Sequence, residues 1–534
     1  MLLLAFSVGV RAELADVMFV NGAIYTVNDT QLWAEALAVK DQRIVFVGAE
    51  REAQAYLDES TRIIDLDGRM VMPGIHDAHQ HLMQGGHISL GCLLPIGIEG
   101  ERFIDVLKDV LRDCESRLEE GEWLVGRGFF SEQFPDGAPH RKYLDELFPD
   151  RPVWLTERTG HNGLANSRAL EIAGVTVDTV APAGGTITRD EDGLPTGELV
   201  EKATALVRNI IPPPTPERNL KAVREAIRVC HQYGITSIQE AGTTKDLLVA
   251  LQKLEMASEL TLDVTSHLVW GRGDDLAGQL ALIENRGMYE STHVNPNNVK
   301  VWMDGTPTGP YFTQADLDPE TGEPEWEYIL VSPDLMNEYV PKFDALGMKV
   351  KVHVAGKGAA HVALDAFELA KQKNPGSRVR HELGHTALVS GQDMDRMREL
   401  NVIGDMSPTQ WQLHEPFGDP PEDPWEFRTL SNKGVMLTIG TDWPVTRTPE
   451  LFEALEGLLM FGDESLDLQS AIRLMTLNGA IAVDRHEDLG SLVPGKLANL
   501  IVLDRNLFAI EPEEISETTV LMTMFEGKVV FDRH

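Results

Sequence analysis

The stretch of this 534-residue chain that decides its fold is Pro73-Gly74-Ile75-His76-Asp77-Ala78-His79-Gln80-His81. The apolar residues Met70-Val71-Met72 lead into it and predict a buried strand. Alternate residues of a strand point to the same side, so His79 and His81 are expected to project together. Two imidazoles placed in this way can bind one metal ion. The rest of the chain therefore has to be searched for further ligands.

The central part of the chain alternates strand-like and helix-like segments, which is typical of a βα architecture with a parallel sheet. Beginning with the segment that holds His79, we count eight candidate strands. The other seven are residues 234–240, 260–269, 299–303, 349–354, 379–385, 402–406 and 435–439. Eight strands with helical segments between them predict a TIM (β/α)8 barrel, which we place at residues 73–484.

The two ends of the chain predict a smaller domain. Residues 17–27 have the pattern of a strand, an Asn21-Gly22 turn and a second strand, and residues 521–531 repeat it. We expect a small β-sandwich built from residues 13–72 and 485–534, with the barrel inserted between them. A strand-like piece at 151–156 does not fit the barrel count. The span of about 93–216 is therefore predicted to be a subdomain inserted after strand one, over the barrel mouth, where it would shape a substrate pocket.

Composition limits the function classes. The chain has 47 Lys and Arg against 84 Asp and Glu, a formal net charge of −37. This balance disfavours nucleic acid and anionic membranes as partners, because both need a basic surface. The acidic surplus is interpreted as favouring solubility.

Cysteines and the N-terminus bear on the cellular compartment. Cys92, Cys114 and Cys230 have no Cys-x-x-Cys spacing, and we expect them to be buried, reduced and structural. The apolar residues 1–12 resemble the core and cleavage site of a secretory signal but lack a basic leading segment. A truncated signal peptide, with a periplasmic or secreted protein, and a cytoplasmic extension both stay open.

Residues that can bind metal fall at the ends of five predicted barrel strands, where barrel active sites form. They are His79 and His81 on strand one, Lys300 on strand four, His353 on strand five, His385 on strand six and Asp442 after strand eight.

The chain resembles the amidohydrolase superfamily, and within it the YtcJ-like amidohydrolase 3 group, over nearly its whole length. The resemblance is carried by the Pro-Gly-x-x-Asp-x-His-x-His run, the Lys-x-x-x-Asp-Gly segment that starts at Lys300, the strand-five histidine, the Asp442-Trp443-Pro444 end of strand eight and residues 490–499. Dimers are frequent among such barrels, so a homodimer is one expectation.

The resemblance implies a binuclear metal centre. His79, His81 and Asp442 would hold one divalent ion, and His353 and His385 the other. Lys300 would be carboxylated by CO₂ and bridge both ions. Four imidazoles and a carboxylate suit zinc, although manganese, iron or nickel could bind the same set.

Such a centre predicts hydrolysis of an amide-type C–N bond in a small organic substrate. Two ions would activate a water and polarise the carbonyl, and Asp442 would take the proton of that water and pass it to the leaving amine. The alternatives are a mononuclear deaminase of the same superfamily, which Lys300 argues against, and a catalytically silent binding protein with this fold.

Several further residues have expected roles around this centre. His161, Asn166 and Trp443 are candidate substrate contacts. Asp77 is expected to orient an imidazole, and Asp304 to cap the turn before Gly305. The family usually has Glu immediately before the strand-six histidine, whereas this chain has Gly384 there and Glu382 two positions earlier. The loop 306–313 also departs from the common family form, so the substrate is left open.

Overall fold

A computed structural model describes residues 13–95, 97–157, 162–182, 184–273, 275–305, 313–408 and 425–533 of the chain. The chain divides into two compact units. The first unit comprises Met1–Met83 and Ala226–His534, and the second unit is Gln84–Glu225.

The first unit contains the predicted TIM barrel. Its eight strands are parallel, and neighbours in the barrel are neighbours in the chain. Barrel strands one to eight are Ile75–Gln80, Ile235–Thr243, Asp263–Val269, Val294–Trp302, Lys349–His353, Glu382–His385, Ile403–Met406 and Leu437–Ile439. A parallel bridge between Gln80 and Trp443 joins the end of strand one to the segment after strand eight. All eight predicted strands are confirmed. Met70-Val71-Met72 also form the predicted buried strand, which as Met70–Pro73 pairs in a sheet of the terminal domain and not in the barrel.

Several helices of the first unit begin at residues with capping side chains. Thr244 accepts a hydrogen bond from the Leu247 N–H, and Ser332 from the Leu335 N–H, so each satisfies a backbone donor that the helix leaves unpaired. The helices are Glu50–Ala53, Lys245–Met256, Leu276–Glu284, Pro333–Ala345, Lys357–Lys373, Gly391–Leu400, Phe427–Asn432, Phe452–Met460, Leu468–Leu474 and Leu477–Ala482. Pro216–Gln232 runs from the second unit into the first.

Both ends of the chain form the predicted β-sandwich. One sheet has the order Arg43–Gly48, Ala36–Lys40, Val17–Val20 and Arg62–Asp65, and the other has the order Lys528–Asp532, Val520–Phe525, Leu500–Leu503, Met70–Pro73, Ala23–Tyr25 and Trp33–Ala34. Phe19, Leu37, Leu500 and Met524 share one buried apolar cluster, so strands from both ends make a common core.

The two ends are less alike than their sequences suggest. Val520–Phe525 and Lys528–Asp532 form an antiparallel hairpin. Val17–Val20 and Ala23–Tyr25 do not pair with each other, because they lie in different sheets. The predicted strand, Asn21-Gly22 turn and second strand are all present, and the turn carries the chain from one layer of the sandwich to the other.

The second unit is built around a six-stranded mixed sheet. Its strands, in sheet order, are Gly185–Arg189, Pro195–Glu201, Asn162–Ala165, Val153–Glu157, Leu124–Phe129 and Cys92–Leu93. The strand-like piece predicted at 151–156 thus lies outside the barrel. The helices that lie wholly in this unit are Gly100–Glu115, Lys142–Asp145, Ser167–Ile172 and Ala205–Arg208, and Leu82–Leu90 begins in the first unit and continues into the second. Phe103, Leu107 and Leu111 of Gly100–Glu115 are buried with Leu124 and Leu155 of the sheet.

The cysteine prediction is wrong for two of the three residues. Cys92 and Cys114 form a disulfide, with their Cα atoms 5.6 Å apart, whereas Cys230 is a buried free cysteine. Packing of helix Gly100–Glu115 on the sheet brings Cys114 to the edge strand that holds Cys92. A separation of 22 residues along the chain gave no sign of this contact.

Among the described residues, no helix is both long and apolar enough to cross a lipid bilayer.

The disulfide predicts the thiol count of the protein. Denatured without reductant, the chain should show one reactive thiol, that of Cys230, and after reduction it should show three. Closing a loop of this length is expected to stabilise the second unit by about 3 kcal/mol, so Cys92→Ala with Cys114→Ala should lower the unfolding midpoint. Three thiols before reduction would contradict the bond, and Cys230→Ala, which should leave none, is the control.

His231 predicts part of the acid sensitivity of the first unit. Its Nε2 lies 2.9 Å from Thr261 Oγ1, and burial lowers its pKa to about 4. The imidazole of His231 therefore binds a proton more tightly in the unfolded chain than in the folded chain. Its contribution to the free energy of unfolding is complete above a pH of about 6.5 and is lost as the pH falls towards 4.

His231→Gln removes this titration and keeps hydrogen-bonding groups. Between pH 7 and pH 5 the wild type should lose about 2 kcal/mol more unfolding free energy than the variant, measured by urea denaturation at both pH values. Equal losses would show that His231 does not couple to folding.

Candidate metal centre

Three side chains lie close together, two from barrel strand one and one from the segment that follows strand eight. His79, His81 and Asp442 each offer a ligand atom, and these atoms all lie within 4.8 Å of one another. Asp442 Oδ1 is 3.3 Å from His81 Nε2 and 3.9 Å from His79 Nε2. His79 and Asp442 are buried, and His81 is partly exposed. Two imidazoles and a carboxylate in this geometry are a donor set that fits a divalent ion such as zinc.

The histidines of strands five and six adjoin this cluster. The ring of His385 lies 4.3 Å from that of His79 and 4.6 Å from that of His353, measured between centroids. His353 Nε2 is 2.7 Å from the Gly305 carbonyl oxygen, which can only accept, so Nε2 carries the proton and Nδ1 keeps its lone pair. His385 Nδ1 is 3.0 Å from Ser407 Oγ, which leaves Nε2 as the possible ligand. Each ring thus has one nitrogen held by the fold and one that can bind metal.

Lys300 is fully buried among these rings. Its Nζ lies 3.2 Å from His79 Nε2, and burial, reinforced by the charge of Lys351, lowers its pKa to about 7. Within the described part of the chain, no carboxylate oxygen lies within 4.0 Å of this amine. A lysine held close to neutrality is the species that can add CO₂, which would turn a cation into an anionic oxygen ligand.

The proton of His81 competes with metal binding. Burial alone would lower the pKa of His81, but the carboxylates of Asp442 and Glu240 raise it to about 9. Conversely, the hydrogen bond and charge of His81 hold the pKa of Asp442 below its usual value, against the effect of burial. The carboxylate is therefore ionised at neutral pH, and metal binding would displace the His81 proton.

Two members of the cluster have backbones in the left-handed region. The φ of His385 is 68° and that of Asp442 is 57°. Such conformations cost non-glycine residues about 1 kcal/mol or more, and they persist where the surrounding structure imposes them. Here they occur where strands six and eight turn away from the barrel, next to the converging side chains.

Sequence reasoning missed the group that orients His79. Asp405 of strand seven accepts a hydrogen bond from His79 Nδ1 at 2.7 Å, and Lys351 of strand five lies 2.8 Å from the same carboxylate. The role predicted for Asp77 is wrong, since its oxygens accept instead from the His79 backbone N–H and from the N–H and hydroxyl of Thr441. Lys351 lies two residues before His353, so both side chains point to the same side of strand five. This spacing was the signal that could have placed Lys351 inside the barrel.

A chain of buried charges continues from Lys351 into the barrel. Its Nζ is 3.0 Å from one oxygen of Glu382, whose other oxygen is 3.1 Å from Lys349 Nζ.

The glycine at position 384, where the family usually has Glu, has a steric reason in this structure. A Cβ there would lie 3.2 Å from His79 Cε1 and 3.5 Å from Lys300 Nζ, so the glycine leaves this space to two candidate ligands.

The structure does not support the substrate roles predicted for two residues. The amide of Asn166 is consumed by the fold, since its oxygen accepts from the Val153 and Ala169 N–H groups and its nitrogen donates to the Phe148 and Arg151 carbonyls. Trp443 is 2% exposed and packs in the core. His161 lies outside the described residues.

Asp304 binds backbone N–H groups of other segments and does not cap the turn before Gly305. Its carboxylate accepts hydrogen bonds from the N–H groups of Ala315, Ala355 and Gly356 at 2.8–3.0 Å. This carboxylate therefore shapes the segment that follows His353, which corrects the prediction.

Comparisons with known proteins identify the family. The model of the amidohydrolase family matches residues 62–531. The putative amidohydrolase YtcJ of Bacillus subtilis is 26% identical over 96% of this chain and 99% of its own, and N-substituted formamide deformylase of Arthrobacter pascens is 26% identical over 98% and 99%. Protein LONG AFTER FAR-RED 3 of Arabidopsis thaliana is 25% identical over 97% and 92%.

Solved structures confirm the fold. An uncharacterized metal-dependent hydrolase from Pyrococcus horikoshii superimposes with a TM-score of 0.72 at 22% identity, covering 93% of this chain and 99% of its own. Its counterpart from Pyrococcus furiosus has a TM-score of 0.70 at 24% identity, covering 92% and 99%. With a family model matched over most of its length and a barrel that gathers metal-ligating side chains at one end, the chain belongs to the amidohydrolase family of metal-dependent hydrolases.

Proposed function

We propose that this protein hydrolyses an amide-like, non-peptide C–N bond of a small organic molecule at a binuclear metal centre. His79, His81 and Asp442 would hold one divalent ion, His353 and His385 the second, and a carboxylated Lys300 would be shared by both. The observation that carries the proposal is the environment of Lys300, which is buried beside His79 and close to neutrality.

A second buried lysine makes this argument specific. Lys351 lies within 3.0 Å of both Glu382 and Asp405, and these carboxylates outweigh burial and raise its pKa. It stays an ammonium and cannot react with CO₂. Lys300 has the opposite environment, and the expected bridging ligand therefore stands at position 300 and not at 351.

The donor set favours zinc, since imidazole and carboxylate together suit this ion. When bound, divalent ions polarise a substrate carbonyl and lower the pKa of a coordinated water, which makes attack possible at neutral pH. Asp442 is an ionised carboxylate at this position, able to accept one proton and to deliver it to a leaving amine. His81 Nε2 lies 3.3 Å from Asp442 Oδ1, close enough for both groups to hold the same ion.

The substrate class is proposed from the relatives. One similar protein is named for the deformylation of N-substituted formamides, which is cleavage of a C–N bond outside a peptide. We infer that the substrate is an N-acyl compound of this kind. N-substituted formamides and their acetyl and cyclic counterparts form the panel to test.

Metal analysis tests the centre directly. The wild type should bind about two ions per chain, and Lys300→Ala should retain one or fewer and lose turnover by a factor of about a hundred or more. Lys253→Ala, at an exposed helix position of the same unit, is the control and should change neither value. One ion in the wild type would favour a mononuclear deaminase, and none would favour a non-catalytic binding protein.

Turnover of the amide panel should depend on Asp442 in the same preparation. Asp442→Asn removes the proton acceptor and should lower kcat by a factor of about a hundred to ten thousand. Retained turnover in this variant would disprove the role of the carboxylate.

The Asp405 carboxylate should determine metal affinity without touching metal. Asp405→Asn removes the charge that polarises His79, and we expect metal to bind about 10-fold to 100-fold more weakly in competition with a chelator. Asp393→Asn is a matched control, because Asp393 is also buried and contacts both a histidine, His361, and a cation, Arg396, away from the centre. An equal loss of metal affinity in both variants would show that the effect comes from general destabilisation and not from the contact with His79.

A further inference from the structure

The second unit contains a cavity of about 850 Å³ whose lining residues all belong to that unit. This volume is in the range of small-molecule binding sites. Its walls are mostly apolar and include Ile88, Leu90, Leu118, Val125 and Ile211. The disulfide between Cys92 and Cys114 also lines it and ties the edge strand to helix Gly100–Glu115. The cavity is therefore held open by covalent and packed structure.

One guanidinium stands out in this lining. Arg127 lies on strand Leu124–Phe129 two residues from Val125, so both side chains point to the same face of the sheet. Arg127 is half-buried, and burial alone accounts for the lowering of its pKa. Among the residues that the structure describes, none accepts a hydrogen bond from its guanidinium or forms an ion pair with it.

The other charged side chains that line the cavity do not pair with Arg127. The unit's other arginines at the cavity, Arg208 and Arg218, come from the segment that also supplies Pro212 to Pro214. His87 is engaged with Asn219, Nε2 to Oδ1 at 2.8 Å, and burial lowers its pKa, so it is neutral. Three carboxylates also line the cavity, those of Glu120, Glu122 and Glu157. None of them contributes to the pKa of Arg127, which burial alone lowers, and Glu122 instead accepts from the backbone N–H of Glu119.

A half-buried guanidinium without an acceptor is costly, because its five N–H donors lose water without gaining a hydrogen bond. Its planar fork matches a carboxylate, which it can bind through two parallel hydrogen bonds. We propose that this cavity of the second unit is a binding site for a small organic carboxylate with an apolar body. The carboxylate pairs with Arg127, and the apolar part fills the space beside Val125 and Ile211.

The site is separate in its residues from the metal centre and does not depend on the proposed hydrolysis. The test uses the full chain and isothermal titration with octanoate, which has no C–N bond to cleave. Octanol serves as the neutral analogue, and inorganic phosphate as an anion without an apolar body. We expect one saturable octanoate site per chain, at least about tenfold tighter than octanol, and no competition by phosphate.

Arg127→Met should reduce octanoate binding to the level of octanol. Arg112→Met, at an exposed position of helix Gly100–Glu115, is the control and should bind as the wild type does. Should Arg127→Met fail to fold, Val125→Trp keeps the arginine, fills the cavity from an exposed strand position and should abolish binding. Equal affinity for octanoate and octanol, displacement by phosphate, unchanged binding in Arg127→Met or Val125→Trp, or the absence of a saturable site would each overturn the proposal.

Discussion

Barrel closure between strands one and eight is the constraint on which the site depends. Asp77 accepts hydrogen bonds from the N–H and the hydroxyl of Thr441, the Asp442 N–H donates to the His79 carbonyl, and the His81 N–H donates to the Trp443 carbonyl. These bonds join segments more than 360 residues apart in the chain. They place Asp442 between two imidazoles, and without them the candidate ligands would remain on separate strands.

Beneath this closure the barrel interior is charged rather than apolar. TIM barrels are usually filled by layers of branched aliphatic side chains, whereas here Lys349, Glu382, Lys351 and Asp405 form a continuous buried chain that ends at His79. Each of the four groups has a partner within 3.1 Å, so burial is tolerable as long as all of them remain paired; removing one would leave a buried polar group without its partner. These paired charges thereby fix the orientation of His79, and among the described residues they leave Lys300 as the barrel lysine without a carboxylate within 4.0 Å.

Much of this could be predicted from residues that lie close in sequence. His79 and His81 two apart, and His353, His385 and Asp442 at strand ends, could be placed because strand parity and barrel topology decide where such side chains point. Strand parity could have placed Lys351 inside the barrel, but the roles of Lys351 and Asp405 could not be predicted, because they depend on contacts between side chains of different strands. The disulfide, the buried amide of Asn166 and the two sheets that separate Val17–Val20 from Ala23–Tyr25 are likewise products of packing.

The sequence by itself determined the barrel, the domain built from both termini and the types of ligand, because hydrophobic period and residue chemistry are local properties. Tertiary structure alone decided which buried lysine is close to neutrality, which carboxylate orients an imidazole and which arginine faces a cavity without an acceptor among the described residues. Each of these depends on burial and on the charges within a few ångströms, and residues far apart in the chain supply both.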